Sequence, residues 1–539
     1  MKRRIIAIVL ATGMLCGCST SADTVKEEKA VAAEEEGNDA AGEEESANVS
    51  DEGVVTLDWW TDFSWYYSDN WEGIIPEEIT RATGVACEVT RAADSGQLNL
   101  MIASGELPDI IWCDNGSGAV DRLCDSNLCY SYNELIEQYG IDWEVSPERI
   151  YVARTHNIDE ADENFYTILQ NYLSEEDWAD NEVGCPINIA GLYYRKDIWE
   201  ELGCPEMNTV EQIKEVMAMV KDKYPDMQVI NAGNSGWRLG GFANWFDAGG
   251  NTDFRYDKDG NVAYGATLEG YHDYMKCMNE FFRNGYFTEE SLALTVEADA
   301  QQQATSGKSF IYEWNARPTW LEELNTKTRE VIPEAEWAFL SIPDDAKEIP
   351  YSQSGWAGLF ISKNCKDPEA AIRLIAYLNS EQGQKLSLWG REGIDYEMDQ
   401  NGVPQFSEEW KEANKDITVM SELYNPNYFC TTELHEILQY YSGVDQEVID
   451  MFTRNADKIK MNLELSLAAP KTTSDAGIIY SKIKEASGAE TTKLITAATE
   501  EEFEKLFEEY MELLDKIGVQ ELNKNVTETI RRIKADLGA

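Results

Sequence analysis

Residues 54–60 (VVTLDWW) alternate loosely between apolar and polar positions and open on β-branched side chains, which predicts a strand. Helical spacing follows over 71–83 and stops at Gly84. Residues 87–90 predict a second strand and 97–103 (QLNLMIA) a helix closed by Ser104 and Gly105. A third strand is predicted over 107–113, with Pro108 near its start, where a missing N–H costs little. The opening therefore reads βαβαβ, the order that builds a mainly parallel sheet with helices on its faces.

The pattern continues with a strand over 187–194 and a helix over 196–202 stopped by Gly203. Asn208 or Thr209 caps the next helix, Glu211 lies in its first turn, and Ile213, Val216, Met217 and Val220 share one face until Tyr224-Pro225. Residues 257–261 (DKDGN) join two short tyrosine-bearing strands as a hairpin. A helix over 271–284, a strand over 357–361 and one long helix over 368–388 follow, the last with Pro368 in its first turn. From Glu409 onward the chain reads as mostly helical, and 500–514 is clearly amphipathic.

Composition changes this picture at the N-terminus. Lys2, Arg3 and Arg4 precede an apolar run at 5–10, too short to span a bilayer, and small residues lead to Cys18. That is the pattern of a secretory signal peptide. Leu15-Cys16-Gly17-Cys18 resembles the lipobox of bacterial lipoproteins, although Cys16 departs from the usual small residue. The resemblance implies that Cys18 is lipidated and that the rest lies outside the cytoplasmic membrane. Residues 19–52 carry twelve acidic against two basic residues and almost nothing large and apolar. Like charge and low hydrophobicity leave ordering entropy uncompensated, so 19–53 is expected to be a disordered tether.

The remainder is too long for one core and should form two lobes or more. A formal charge of −55 makes nucleic acid and anionic lipid poor partners. Cys87, Cys113, Cys124, Cys129, Cys185, Cys204, Cys277, Cys365 and Cys430 are odd in number and scattered, so most are expected to be buried small apolar residues rather than a disulfide framework. Three dispersed histidines give no zinc pattern. Placing Gly260 at position six of a calcium loop puts Arg255 first and Ala266 twelfth, so the ligands are missing. No phosphate loop, GxSxG or HExxH occurs, and neither a metal nor a cofactor is called for.

Four segments together resemble one family. They are MIASGELPDII (101–111), GLYYRKDIWEELGCPEMNTVEQI (191–213), GWAGLFISKNCKDPEAAIRLIAYLNSEQGQ (355–384) and WGREGIDYEMDQNGVP (389–404). In this order they look like the extracellular solute-binding proteins of family 1 that serve carbohydrate ABC importers, in particular the long lipoprotein subgroup. The resemblance implies an α/β, two-lobe, periplasmic-binding-protein-like fold (type II) with a ligand cleft between the lobes and a largely helical C-terminal part. Lobe I would hold 54–185 plus about 336–420, and lobe II 186–335 plus about 421–539. It also implies a monomer that meets ABC permease subunits, with ATP hydrolysis on another chain.

A sugar presents apolar faces and a hydroxyl rim, so aromatic platforms and planar polar groups are the side chains to seek. In open α/β sheets they belong beyond the carboxyl ends of strands. Trp65, in the loop after the first strand with Tyr66 and Tyr67, is one candidate. Asp114 and Asn115 end the third strand, where a turn cap is the competing role. The loop 234–250 offers Trp237, Arg238 and Trp245, with a packed loop as the alternative. Glu313 and Trp314 follow a short strand, Trp356 stands near the lobe crossing, and Glu392 with Trp389 and Arg391 falls on the last matched segment. The leading expectation is a non-catalytic carbohydrate-binding protein. A secreted glycoside hydrolase would also use aromatic clefts and a carboxylate pair, and a binder of peptides or another polar solute is the third reading.

Overall fold

A computed structural model of the chain describes residues 53–537, apart from 65, 94–95, 117, 180, 182–188, 234–238, 250–251, 295–296, 401, 428 and 472–473. The strands open with β1 (Val55–Thr61), β2 (Val85–Arg91), β3 (Ile110–Asp114), β4 (Ala190–Arg195) and β5 (Gln228–Ile230). A hairpin of β6 (Phe254–Tyr256) and β7 (Val262–Tyr264) precedes β8 (Ser309–Asn315), β9 (Trp337–Leu340), β10 (Ile349–Tyr351) and β11 (Ala357–Ile361). The short β12 (Tyr396–Met398), β13 (Pro404–Phe406) and β14 (Ile459–Met461) complete the set.

The molecule is a two-lobe α/β fold built on two four-stranded sheets. The first has the order β11-β3-β1-β2, with β1 parallel to β2 and β3 and only β11 antiparallel. This is the βαβαβ opening read from the pattern. Its core gathers Leu57, Ile110, Trp112, Leu359, Ile375 and Leu388, and also Met420, Tyr424 and Phe429. The second sheet runs β5-β8-β4-β9, with β4 antiparallel to both neighbours and β5 parallel to β8. Its core includes Leu192, Val216 and Phe281 together with Phe503, Leu514, Val526 and Ile530 from the last helices. Those helices, Asp475–Thr496, Glu500–Ile517 and Val519–Leu537, cover this lobe with their apolar stripes.

The chain crosses between sheets through irregular segments. β9 still belongs to the second sheet, and the chain joins the first at β11 after β10 has paired with β14. The stretch before β4 makes isolated bridges from Gln170 to Ala357 and from Tyr172 to Thr432. Residues near 170, 353 and 432 therefore meet at one place.

Local predictions hold where side-chain chemistry sets the boundary. Thr209 and Gln212 form a reciprocal capping box at the start of Val210–Lys223. The DKDGN hairpin closes through Asp257 N–H to Asn261 O at 2.7 Å, with Gly260 at φ 76°. Several boundaries differ: the third strand is Ile110–Asp114, which leaves Pro108 outside it, the second is Val85–Arg91, and two further differences have a side-chain cause. The first helix is Ile74–Thr83, because Trp71 instead packs on Trp59 at 6.2 Å and donates its indole N–H to Thr80 Oγ1 at 3.0 Å. The long helix expected over 368–388 is two helices, Pro368–Asn379 and Glu381–Trp389. Ser380 is extended there and its Oγ accepts from Gly383 N–H at 3.0 Å, capping the second helix. A Cβ on Gly383 would fall 1.9 Å from Tyr377 O, so the corner needs glycine.

Among the described residues no helix is long and apolar enough to cross a membrane. The described cysteines are free thiols, all buried except Cys204. Cys18 and Cys185 lie outside the described residues.

Candidate functional site

The carboxyl ends of β1 and β3 and the start of β11 bring separate sequence segments together. Antiparallel register sets Ala357 opposite Asp114, so Trp356 lands beside Asn115, whose N–H donates to Trp356 O at 2.8 Å. Phe63 stands edge-on to Trp112 at 4.5 Å and to Trp356 at 5.0 Å. Tyr66 meets Trp112 at 5.1 Å and Tyr67 at 4.8 Å. Trp112 is fully buried and donates its indole N–H to Gln170 Oε1 at 2.8 Å, so it supports the group from behind. Trp356, Tyr67, Asp114 and Asn115 are half-buried. Burial, then the adjacent Tyr66 and the nearby Tyr440, push the Tyr67 phenol well up.

Tyr440 leads to the other sheet. It lies in the helix Glu433–Tyr441, where the guanidinium of Arg317 sits 4.6 Å from its ring centre and donates to its hydroxyl at 3.1 Å. Arg317 also lies 6.0 Å from the Trp320 ring, and Trp320 stacks on Trp314 at 4.8 Å. Trp314, Arg317, Trp320 and Tyr440 are all half-buried. The influence of Tyr440 on the Tyr67 phenol brings the two aromatic groups, Trp356 with Tyr67 and Tyr440 with Trp320 and Trp314, near each other.

Behind these rings, the crossing segments are tied by polar contacts. Asn171 donates its amide to Glu436 Oε1 at 2.7 Å, and Thr431 Oγ1 donates to the same oxygen at 3.2 Å. Gln353 donates to Asn171 Oδ1, and the Tyr351 hydroxyl donates to Glu433. Burial pushes the Glu436 carboxyl up, and the Arg317 charge opposes that shift. A buried polar network of this kind fixes one arrangement of strands that apolar contacts alone would leave less specified.

Asp62 was not among the expected residues. It follows β1 directly, and its N–H donates to Trp112 O at 2.9 Å. Burial first, then the charge of Asp114, raise its carboxyl to about 6 against a lowering influence from Arg122. Its buried Oδ1 has no hydrogen-bond partner among the described residues. The position was legible as a carboxylate one residue past a strand end, and the strand register sets it level with Cys113 of the neighbouring strand. Arg317 and Trp320 lie three and six residues past the expected Trp314. Tyr440 carried no sequence signal, because only tertiary packing brings it to these rings.

Three expected residues lie elsewhere. Glu313 and Trp314 alternate along β8, so they point to opposite faces. Glu313 is 2% exposed and accepts the N–H of Gly241 at 2.6 Å at the start of a short helix. Trp245 is 4% exposed and packs edge-on to Phe242 in the second core. Glu392 is exposed and lines a surface hollow of about 550 Å³ with Arg81 and Lys385, while Arg391 pairs with Asp395 and Trp389 is buried. A second hollow of about 670 Å³ is lined by Tyr224, Met227 and Gln303. Neither hollow contains a residue of the two aromatic groups, and the half-buried rings at the crossing are the better mark of a binding site. Trp65 and Trp237 lie outside the described residues. Among the described residues no three metal-ligating groups cluster.

Residues 76–392 match the model of the bacterial extracellular solute-binding protein family, well over half of the chain. No curated protein matches it. Among solved structures, the chain is similar to the alginate-binding protein AlgQ2 without calcium ion, at 17% identity, covering 89% of this chain and 98% of that one with a TM-score of 0.65. It is similar to the S. pneumoniae ABC-transporter substrate binding protein FusA in complex with kestose, at 15% identity, 89% and 100% coverage and a TM-score of 0.59. It is also similar to the N-glycan transport solute binding protein of Streptococcus pneumoniae, at 14% identity, 88% and 98% coverage and a TM-score of 0.55. At these identities the likeness is one of fold.

Proposed function

The chain belongs to the bacterial extracellular solute-binding proteins, and from that premise we propose that it captures an oligosaccharide between its lobes and delivers it to an ABC importer without chemistry of its own. The observation that carries this reading is the set of half-buried rings, Trp356, Tyr67, Tyr440, Trp320 and Trp314, at the crossing of the two sheets. Ring faces suit the apolar faces of sugars, and Asp62, Asp114, Asn115 and Arg317 supply planar polar groups for hydroxyls. Three proteins that share the fold, an alginate-binding protein, a substrate binding protein in complex with kestose and an N-glycan transport protein, point the same way. Ligand would favour a closed form by touching both lobes at once.

The reading includes a monomeric protein held outside the cytoplasmic membrane by lipid on Cys18, with ABC permease subunits as partners. Lobe I would take in 54–185 plus about 336–420 and lobe II 186–335 plus about 421–539, except that β9 pairs in the second sheet.

Melting temperature and tryptophan fluorescence of the chain against a broad glycan panel test this. Ligand at ~100 times its dissociation constant should add about 2.7 kcal/mol of stability. Tyr440→Ala should weaken binding tenfold or more, as loss of a central aromatic contact does. A flat response to glycans with a response to peptides discards the sugar. New reducing ends that disappear in Asp62→Asn would make the protein a hydrolase instead.

A further inference from the structure

Three short spans, 168–173, 351–357 and 430–437, carry the chain between two cores. Ile168, Ala357 and Cys430 belong to the core of the first sheet. Leu173, Tyr351 and Ile437 belong to the core on the other face of the second sheet, with Tyr193, Tyr312 and Trp337. A fourth span crosses at Leu463 and Leu465, and beside it Asn462 donates its N–H to Tyr351 O at 2.8 Å. Asn171, Gln353 and Thr431 lie inside the first three spans and meet. The Asn171 N–H donates to Thr431 O at 2.6 Å, and its amide oxygen accepts from Gln353. Its amide nitrogen donates to Glu436 Oε1 at 2.7 Å, the oxygen that also takes the Thr431 hydroxyl at 3.2 Å. On either side, Gln170 N–H donates to Ala357 O at 3.0 Å and Leu173 N–H to Gln353 O at 3.1 Å. Asn171 stands at φ 57°, a left-handed conformation that Asn tolerates better than most residues. At 1% exposure it lies out of a ligand's reach.

Turning one lobe against the other changes backbone dihedrals in these spans, because they join the two cores. A buried side chain bonded to each span resists that change, since a bond opened there is not replaced by water. We propose that Asn171 is a positioning residue of the hinge: it holds the three spans in the register from which the lobes close, and so sets the affinity for every ligand alike without contacting any. Without its amide the ligand-free lobes adopt more arrangements, a smaller fraction is ready to close, and apparent affinity falls by that fraction whatever the ligand. The effect on affinity rests on the glycan reading above; the hold on the lobes does not.

The test joins small-angle X-ray scattering of the ligand-free full chain to calorimetric titration with glycans of several lengths and linkages. Asn171→Gly keeps the left-handed backbone and removes the amide. Thr431→Val keeps the side-chain shape and removes the hydroxyl. Glu313→Ala, which weakens the second lobe away from the crossing, shows the effect of lost stability alone. Melting temperatures confirm folding, and Thr431→Val decides the point if Asn171→Gly does not fold. The expected result is a larger radius of gyration than wild type before ligand is added. Affinity for every glycan that binds should fall by one common factor, roughly three- to tenfold, the ratio that one net hydrogen bond is worth. Glu313→Ala should show neither change. A wild-type radius of gyration in the folded variants, unchanged affinities, or losses that differ from one glycan to the next overturn the proposal and leave the glycan reading standing. If wild type binds no glycan, the glycan reading falls, and the scattering comparison by itself decides the hold of Asn171 on the lobes.

Discussion

Replacing Asp62 by Asn should stabilise this protein at neutral pH and do nothing at pH 4. The carboxyl is held at about 6 instead of 3.8, chiefly by burial and then by Asp114. A folded-state value above the unfolded one means that the folded protein holds the proton more tightly. Below about pH 4 both states are protonated and the group is neutral in its effect. As pH rises through 6 the folded state must carry the charge, and stability is lost. A rise of roughly two pH units corresponds to about 3 kcal/mol at 1.36 kcal/mol per unit. Asp62 is half-exposed, and solvent screening reduces that to about 1–2 kcal/mol. Urea unfolding of wild type and Asp62→Asn at pH 4, 5, 6 and 7 measures the difference. The variant's advantage should grow from near zero to about 1–2 kcal/mol across that range. Asp247, raised to about 6 by burial, and His435, lowered to about 4 by burial, titrate nearby but are present in both proteins and cancel. An advantage independent of pH, or a variant less stable at pH 7, refutes the reasoning.

The remaining predictions concern support rather than ligand contact. Glu313→Ala removes the acceptor from the buried Gly241 N–H and should cost roughly 2–3 kcal/mol by urea unfolding, with glycan affinity within twofold of wild type. Lost affinity with unchanged stability would return Glu313 to the ligand. Gly383→Ala should cost about 2–3 kcal/mol in calorimetry, because its Cβ cannot sit 1.9 Å from Tyr377 O without prising the two helices apart. In native protein Cys204 should react with a thiol reagent first, while the buried Cys87, Cys113, Cys124, Cys129, Cys277, Cys365 and Cys430 wait for unfolding. Burial also pushes the Cys113 and Cys124 thiols well up, which slows them further. Site-resolved mass spectrometry reads the order, and early labelling of Cys113 would contradict the packing.

Much of the fold was legible because its determinants are local. The parallel opening, the Thr209 cap and the DKDGN hairpin follow from alternation, a side-chain oxygen and a glycine at positive φ. The break at Ser380 was hidden because the apolar spacing of Ile375, Leu378, Leu386 and Leu388 runs on either side of it. Of the expected site residues, Asp114, Asn115 and Trp356 meet because strand register joins them. Trp314 belongs to the other aromatic group, while its neighbour Glu313 is turned inward by the alternation of one strand.

Taken alone, the amino-acid sequence determined the element types, the acidic charge, the two-lobe class and the segments that hold the aromatic residues. Element types depend on residues within a turn or a strand of one another, the charge on composition, and the two-lobe class on chain length and the order of the matched segments. Tertiary structure alone decided which rings are half-buried and which are core, that Arg317 sits against Tyr440, and that among the described residues Asp62 Oδ1 has no hydrogen-bond partner. Those depend on desolvation and on contacts between segments hundreds of residues apart, and no local pattern records them.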